Sequence, residues 1–229
     1  MIASKNEKIN RLTTDSVVFI DPTLNPDGRD RHSQWANQYK SINLVADSND
    51  AEHNESWPRG RTNHYWFDLN RDWLLAIHPE IRGKLNWLHE WYPNVVVDVH
   101  EMGTNSNYFF DPMKPSASVK PLIPKENVDL YPIFAEYYIK YMDSIGSFYY
   151  SKESFDETYP GYGSTYSDLQ GGLALLFEQA SSRGHVQETN YGEMTFGFTI
   201  RNQFLNGIAT VEAAVDNKIL LRDYQKRFF

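Results

Sequence analysis

An α/β fold with a mostly parallel sheet flanked by helices follows from three features of this sequence. Residues 17–20 (Val-Val-Phe-Ile), 95–99 (Val-Val-Val-Asp-Val) and 173–177 (Leu-Ala-Leu-Leu-Phe) are short apolar runs with the length of strands buried on both faces. Between them lie segments whose apolar residues recur at helical spacing, and strands alternating with helices build parallel sheets. A chain of 229 residues, 41% of them hydrophobic, can enclose one sizeable core, so residues 1–229 read as one domain.

The elements follow in order. Residues 1–14 read as the polar end of a helix, in which Ile2, Ile9 and Leu12 punctuate Lys, Asn and Glu. The strand at 17–20 stops at Asp21-Pro22. Residues 25–65 carry Pro, Gly, Asn, Asp and Ser with little periodicity, and a stretch that long without elements points to function. Within it, Asn25-Pro26-Asp27-Gly28 reads as a turn whose residues set backbone angles. His78-Pro79 opens a helix with Pro in its first turn and Ile81, Leu85, Leu88 and Trp91 on its apolar side. The strand at 95–99 delivers His100 at its C-terminal end. Prolines after Met113 mark a loop, and a further helix spans Tyr131-Pro132 to Ser144. Residues 151–172, rich in Ser, Tyr and Gly, read as a mobile loop before the strand that ends at Glu178. A last helix covers 199–222, with Phe204, Ile208, Val211, Val215 and Ile219 as its apolar stripe.

Charge and composition exclude several functions. The net charge of −8, from 22 basic and 30 acidic residues, argues against nucleic acid and against an anionic membrane surface as partners. No window approaches the ~18 consecutive apolar residues of a membrane-spanning helix. The chain has no cysteine, so a metal site must use His and carboxylates. Aromatic residues make up 15% of the chain, enough to line a cleft as well as fill the core.

The most informative segment runs from Gly60 to Arg71, Gly-Arg-Thr-Asn-His-Tyr-Trp-Phe-Asp-Leu-Asn-Arg. Two arginines and an amide beside aromatics make a receptor for carboxylates, because a guanidinium matches two oxygens at once. In α/β sheets, ligands sit beyond the carboxyl ends of the strands, and His100 and Glu178 both fall there. Taken alone, a histidine at a strand end is usually structural. Asp98, two residues earlier on the same strand face, could orient it. A carboxylate directly after a buried run, as at Glu178, is costly unless it turns to solvent or a cavity needs it.

Together these segments resemble the zinc carboxypeptidase family: Asn25-Pro26-Asp27-Gly28, then Gly60-Arg61-Thr62-Asn63 with Asp68-Leu69-Asn70-Arg71, then the strands ending at His100 and Glu178. The four matches occur in the family's order and cover nearly the whole chain. The resemblance implies a zinc carboxypeptidase-like, phosphorylase/hydrolase-like fold, a Zn2+ cofactor, and peptide or protein C-termini as substrates. It assigns His100 as a metal ligand and Glu178 as the general base that activates the zinc-bound water. Arg61 would stabilise the tetrahedral oxyanion, and Asn70 with Arg71 would grip the substrate's free carboxylate. Asp68 would hold a metal-ligating histidine from behind. The segment from Glu157 to Tyr166 resembles the family's mobile loop, whose tyrosine closes over the bound carboxylate. Tyr159 and Tyr162 both remain candidates for that tyrosine. Arg59 has no counterpart and reads as a solvated charge.

The sequence departs from the family at one point. The family's first two zinc ligands come from a His-x-x-Glu motif ahead of Asn-Pro-Asp-Gly, and no histidine precedes Asn25. The expectation is therefore an N-terminally truncated domain, lacking its N-terminal strands and inactive alone, whose partner would be the N-terminal remainder. A His-x-x-Glu does occur at His185-Val186-Gln187-Glu188, but after the general-base position, where it reads as a polar loop with chance spacing. His32, His53, His64, His78 and His89 lack ligand spacing and read mostly as surface residues. Two other functions stay open: a zinc deacylase or amidase acting on N-acyl amino acids or cell-wall peptides, and a non-catalytic module binding peptide C-termini.

Overall fold

The computed structural model describes residues 6–114, 123–156 and 158–229. The expected proline-marked loop after Met113 lies partly, and Glu157 wholly, outside them. Helix α1 (Glu7–Thr14) is capped by Asn6, whose side chain accepts from the Lys8 N–H. It buries Leu12 and reaches the C-terminal half of the molecule through Lys8–Glu212 and Arg11–Asp216 ion pairs, both 2.7 Å.

Residues 17–20 are not a strand. Val17 is 70% exposed and Ile20 nearly as open, while Phe19 packs edge-on against Trp91 at 4.9 Å. Among the described residues no strand pairs with this run, so its apolar content pins it to a helix instead of entering the sheet. The expected long loop also contains an element, helix α2 (Pro26–Tyr39). The Asn25 side chain caps it by accepting from the Gly28 N–H, and Pro26 occupies its first turn. Gly28 is there because a Cβ would lie 2.1 Å from the Gly60 carbonyl oxygen. The helix carries almost no apolar period, burying only Gly28 and Ala36, so periodicity missed it.

Helix α3 (Pro79–Trp91) buries Ile81, Leu85 and Leu88 against Leu69, Trp73 and Tyr166, leaving Trp91 to receive Phe19. Enclosing a side chain such as Ile81 contributes about 1.5–3 kcal/mol. Strand β1 (Val95–Met102) runs parallel to β4 (Leu173–Ala180), and β4 is antiparallel to β2 (Tyr108–Phe110), which pairs in parallel with β3 (Tyr149–Tyr150). The order β1-β4-β2-β3 leaves β1 at an edge, with Val99 56% exposed, so only β4 is enclosed as expected of both runs.

Leu173, Leu175 and Phe177 alternate along β4 and join the main core with helix α5 (Tyr131–Ser144). A short helix α4 (Lys125–Val128) precedes α5. Part of the expected mobile loop is ordered and buried: helix α6 (Gly163–Tyr166) leads into a 3-10 turn at Ser167–Gln170. There Asp168 accepts from the Ala174 N–H at 2.8 Å and the Tyr131 hydroxyl at 2.9 Å.

After β4, a hairpin of β5 (Val186–Thr189) and β6 (Gly192–Thr195) leads to helix α7 (Phe196–Asp216), and α8 (Lys218–Phe228) follows a break at Asn217. The expected single helix is thus two, and its expected stripe is only partly inward: Val215 is buried and Ile208 and Val211 are half-buried. Phe204 and Ile219 are exposed, while Thr199, Asn202, Asn206, Ala209 and Ala213 face inward. Small and polar residues lie there because α7 hydrogen-bonds to the sheet. Asn202 donates to Gln179 Oε1 at 2.8 Å, and Gln203 donates to the His100 carbonyl at 3.0 Å.

Candidate active site

The parallel register of β1 and β4 sets His100 directly beside Glu178, joining residues far apart in sequence. On β1, the i, i+2 relation brings Asp98 Oδ2 to 2.8 Å from His100 Nε2. A third group closes this cluster. The Asn70 side chain is buried, and its Oδ1 accepts from Trp73 Nε1 at 3.0 Å and from the Gly163 N–H at 2.8 Å. Those two bonds fix which way the amide points, so Nδ2 faces Asp98 Oδ2 at 2.9 Å and His100 Nε2 at 2.8 Å. Gly163 permits the approach, since a Cβ there would sit 2.8 Å from Asp98 Oδ2. The Asn70 amide, which the resemblance assigns to substrate, here meets Trp73, Gly163, Asp98 and His100, and neither Trp73 nor Gly163 stood out in the sequence.

Burial and charge act together on these groups. Burial alone would raise the Asp98 carboxyl, but His100 and the Asn70 amide overcome it and hold it below the ordinary range. Burial alone would lower the His100 imidazole, but Asp98, with help from Glu178, lifts it above its usual value against the opposing charge of Arg61. Glu178 has no such close partner. Its Oε2 is buried without a hydrogen bond, and burial pushes its carboxyl up to about 7, with His100 and Arg61 pulling back and Asp98 adding to the rise. A carboxylate poised near neutrality can both take and return a proton.

A second group lies on loops. Asp68 caps the 3-10 turn Leu69–Arg71 through the Asn70 N–H, and its other oxygen meets Arg61 Nε at 3.0 Å and Arg71 Nη1 at 3.8 Å. Its carboxylate therefore organises two arginines, where the resemblance had it support a histidine. Arg61 and Arg71 keep 49% and 47% of their side chains exposed, open to an incoming anion. The Arg71 guanidinium lies over the Tyr162 ring at 4.4 Å, and the Tyr159 hydroxyl donates to the Arg71 carbonyl at 3.1 Å. Both candidate tyrosines thus touch Arg71, with Tyr162 on the charged end.

The residue model of the family described as zinc carboxypeptidase matches residues 1–204. The chain belongs to the zinc carboxypeptidase family. Among solved structures, a metallo-carboxypeptidase from Burkholderia cenocepacia is similar at 16% identity and a TM-score of 0.60, covering 94% of this chain and 49% of its own. A metallo-carboxypeptidase from Pseudomonas aeruginosa, in complex with (2-guanidinoethylmercapto)succinic acid, is similar at 14% identity and a TM-score of 0.61, covering 96% of this chain and 51% of its own. At these identities the likeness concerns the fold, and the chain spans about half the length of both structures. No curated protein matches the chain by sequence.

Zinc is the cofactor that this family implies, and the donors at β1 suit it. Asp98 accepts from His100 Nε2, which leaves Nδ1 for a metal, in the carboxylate–histidine–metal arrangement common to zinc sites. A catalytic zinc takes three protein ligands, so His100 fits as one of them. Among the described residues, the donors that gather within 4.8 Å of one another are elsewhere, on Asp27, His64 and Glu80. Asp27 Oδ2 lies 2.6 Å from His64 Nδ1 there, and that contact holds the Asp27 carboxyl below its ordinary range. Of the histidines expected mostly at the surface, His53 and His78 are buried, whereas His64 is exposed as expected. His185 binds Glu52 at 2.6 Å and Glu188 lies exposed on β5, so that His-x-x-Glu is not a ligand pair.

Proposed function

We propose that this chain contributes to a metallocarboxypeptidase site that removes C-terminal residues from peptides. The observation that carries the proposal is the register pairing of His100 with Glu178, the imidazole backed by Asp98 and the carboxyl desolvated beside it. His100 would hold the zinc through Nδ1, and zinc, when bound, supplies Lewis-acid polarisation and lowers the pKa of its water toward 7. Glu178 serves as general base, accepting a proton at its carboxylate and returning it to the departing amine. Arg61, within electrostatic reach of both Glu178 and His100, stabilises negative charge developing on the scissile carbonyl. Arg71 takes the substrate's terminal carboxylate, with Tyr162 stacked on its guanidinium. Asn70, through its amide, holds Asp98 and His100 in register.

Turnover of one peptide and its C-terminal amide by the zinc-loaded protein, with the two further zinc ligands that the family requires supplied by a longer chain, tests this reading. The free acid should be the better substrate. Equal cleavage of both, or preference for N-acyl amino acids, would transfer the site to an amidase or deacylase.

A further inference from the structure

Strand register sets two further residues beside the proposed catalytic pair. Glu178 pairs with His100 on one side and with Phe109 on the other, and Phe109 pairs in turn with Tyr150. Residues paired on neighbouring strands project to the same face, so His100, Glu178, Phe109 and Tyr150 form one row across the face that carries the site. The opposite face belongs to the main core, where Phe110 packs on Tyr149.

Tyr150 reaches well beyond its own strand. Its ring leans on Phe109, centroids 5.5 Å apart, and its hydroxyl donates to Met102 Sδ at 3.3 Å. Met102 lies on β1, two residues past His100 and on the same face, and both β4 and β2 stand between β1 and β3. With strands about 4.8 Å apart, the phenol must arch over the sheet to make this contact, on the Met102 side of His100 and Glu178. Burial raises the Tyr150 hydroxyl above its ordinary range, and the charges of Glu178 and Glu153 add to the rise, so the phenol remains a donor.

Two features make that hydroxyl available to a ligand. Tyr150 is only half-buried, and a thioether is a weak acceptor that a carbonyl oxygen readily replaces. The arginine clamp fixes which part of a ligand arrives there. Tyr162, under the Arg71 guanidinium, precedes Gly163, where a Cβ would lie 2.8 Å from Asp98 Oδ2. The clamp therefore lies on the Asp98 side of His100, opposite Met102. A peptide held by its terminal carboxylate at Arg71, with its last amide bond at His100 and Glu178, continues past Met102 and beneath the Tyr150 hydroxyl.

We propose that Tyr150 binds substrate on the acyl side of the cleaved bond, its hydroxyl leaving Met102 to donate to the backbone carbonyl upstream of the scissile one. The assignment rests on the carboxypeptidase reading and narrows its substrate class to peptides. An N-acyl amino acid has no carbonyl upstream of the scissile one, so it gains nothing from Tyr150.

Equilibrium binding to the longer, zinc-loaded protein carrying Glu178→Gln, which blocks hydrolysis, tests this with acetyl-alanyl-phenylalanine and acetyl-phenylalanine. Adding Tyr150→Phe, which keeps the ring on Phe109, should weaken the longer ligand about three- to tenfold, the loss of one hydrogen bond. The shorter ligand should change by less than about twofold. Equal weakening of both would make Tyr150 a structural residue and overturn the assignment. A preference for the free acid over its C-terminal amide, with no length-dependent loss in Tyr150→Phe, would overturn this assignment alone. Acid and amide bound alike, or no binding of either ligand, would overturn the carboxypeptidase reading and this assignment with it.

Discussion

The strand ends and the loops of this site solve opposite problems. Asp98, His100 and Glu178 lie on a hydrogen-bonded strand pair, and their side chains are largely withdrawn from water. Withdrawal moves their protonation equilibria, which proton transfer requires. Arg61 and Arg71 lie on a loop and a 3-10 turn, are half exposed, and are held by the single carboxylate of Asp68. In the proposed reading they receive an anion from solvent, and burial would cost them that access. The difference teaches that the chemical half of the site is tuned by environment and the binding half by reach. Asn70 belongs by sequence to the loop half, yet by contacts it joins the strand half.

Five substitution effects can break or sharpen this contrast. The largest concerns Glu178→Gln, which keeps the shape but cannot accept a proton. Hydrolysis should fall at least ~10²-fold with peptide affinity nearly unchanged, as measured by turnover and by direct binding. A fall in affinity alone would move Glu178 to the binding half.

Asn70→Ala should cost about 2–4 kcal/mol of stability, because it strands the Trp73 indole and the Gly163 N–H and unseats Asp98. Chemical denaturation reads this directly. A change within about 0.5 kcal/mol, the range of an ordinary surface substitution, would return Asn70 to the loop half.

Stability should also respond to pH through Glu178. Its folded pKa, about 7, lies above its ordinary 4.5. A raised acid contributes stability that is intact below 4.5 and lost as pH rises through about 7. In the metal-free protein, Glu178→Gln should therefore gain on the wild type by up to about 3 kcal/mol between those limits. Parallel melting curves at pH 4.5 and 8 would show that gain, and identical differences at both would mean that the carboxyl is well solvated.

Arg71→Ala should weaken binding of a free-carboxylate peptide by about 10- to 100-fold and spare its C-terminal amide. Equal damage to both ligands would remove Arg71 from carboxylate recognition. The smallest effect is expected at Tyr162→Leu, which deletes a half-exposed cation–π contact worth about 0.5–1 kcal/mol. Free-acid affinity should drop only a few-fold. If Tyr159→Phe causes the larger loss, Tyr159 is the tyrosine that meets the ligand.

Local signals in the chain were enough for several of these features. The apolar run at 173–177 and the proline-opened helix at 79–91 appear where their periodicity and capping placed them. His100 and Glu178 were legible as polar residues closing an apolar run, although both strands continue two residues past them, to Met102 and Ala180. Elements defined by their surroundings were not legible. Helix α2 has no apolar face, and α7 turns Asn and Thr inward because its contacts are hydrogen bonds to the sheet. The run at 17–20 has strand composition but no strand to pair with among the described residues, and composition cannot report a missing neighbour.

The sequence by itself therefore determined the residue types, their order and the ends at which they emerge, since these depend on contacts within a few residues. Only the tertiary structure decided that His100 lies beside Glu178, that Asn70 points inward, and that Asp68 serves arginines. It also decided that Tyr150 reaches across the sheet to Met102. Those outcomes rest on strand register, backbone approach at glycines and the desolvation of particular atoms, which arise when segments distant in sequence are packed together.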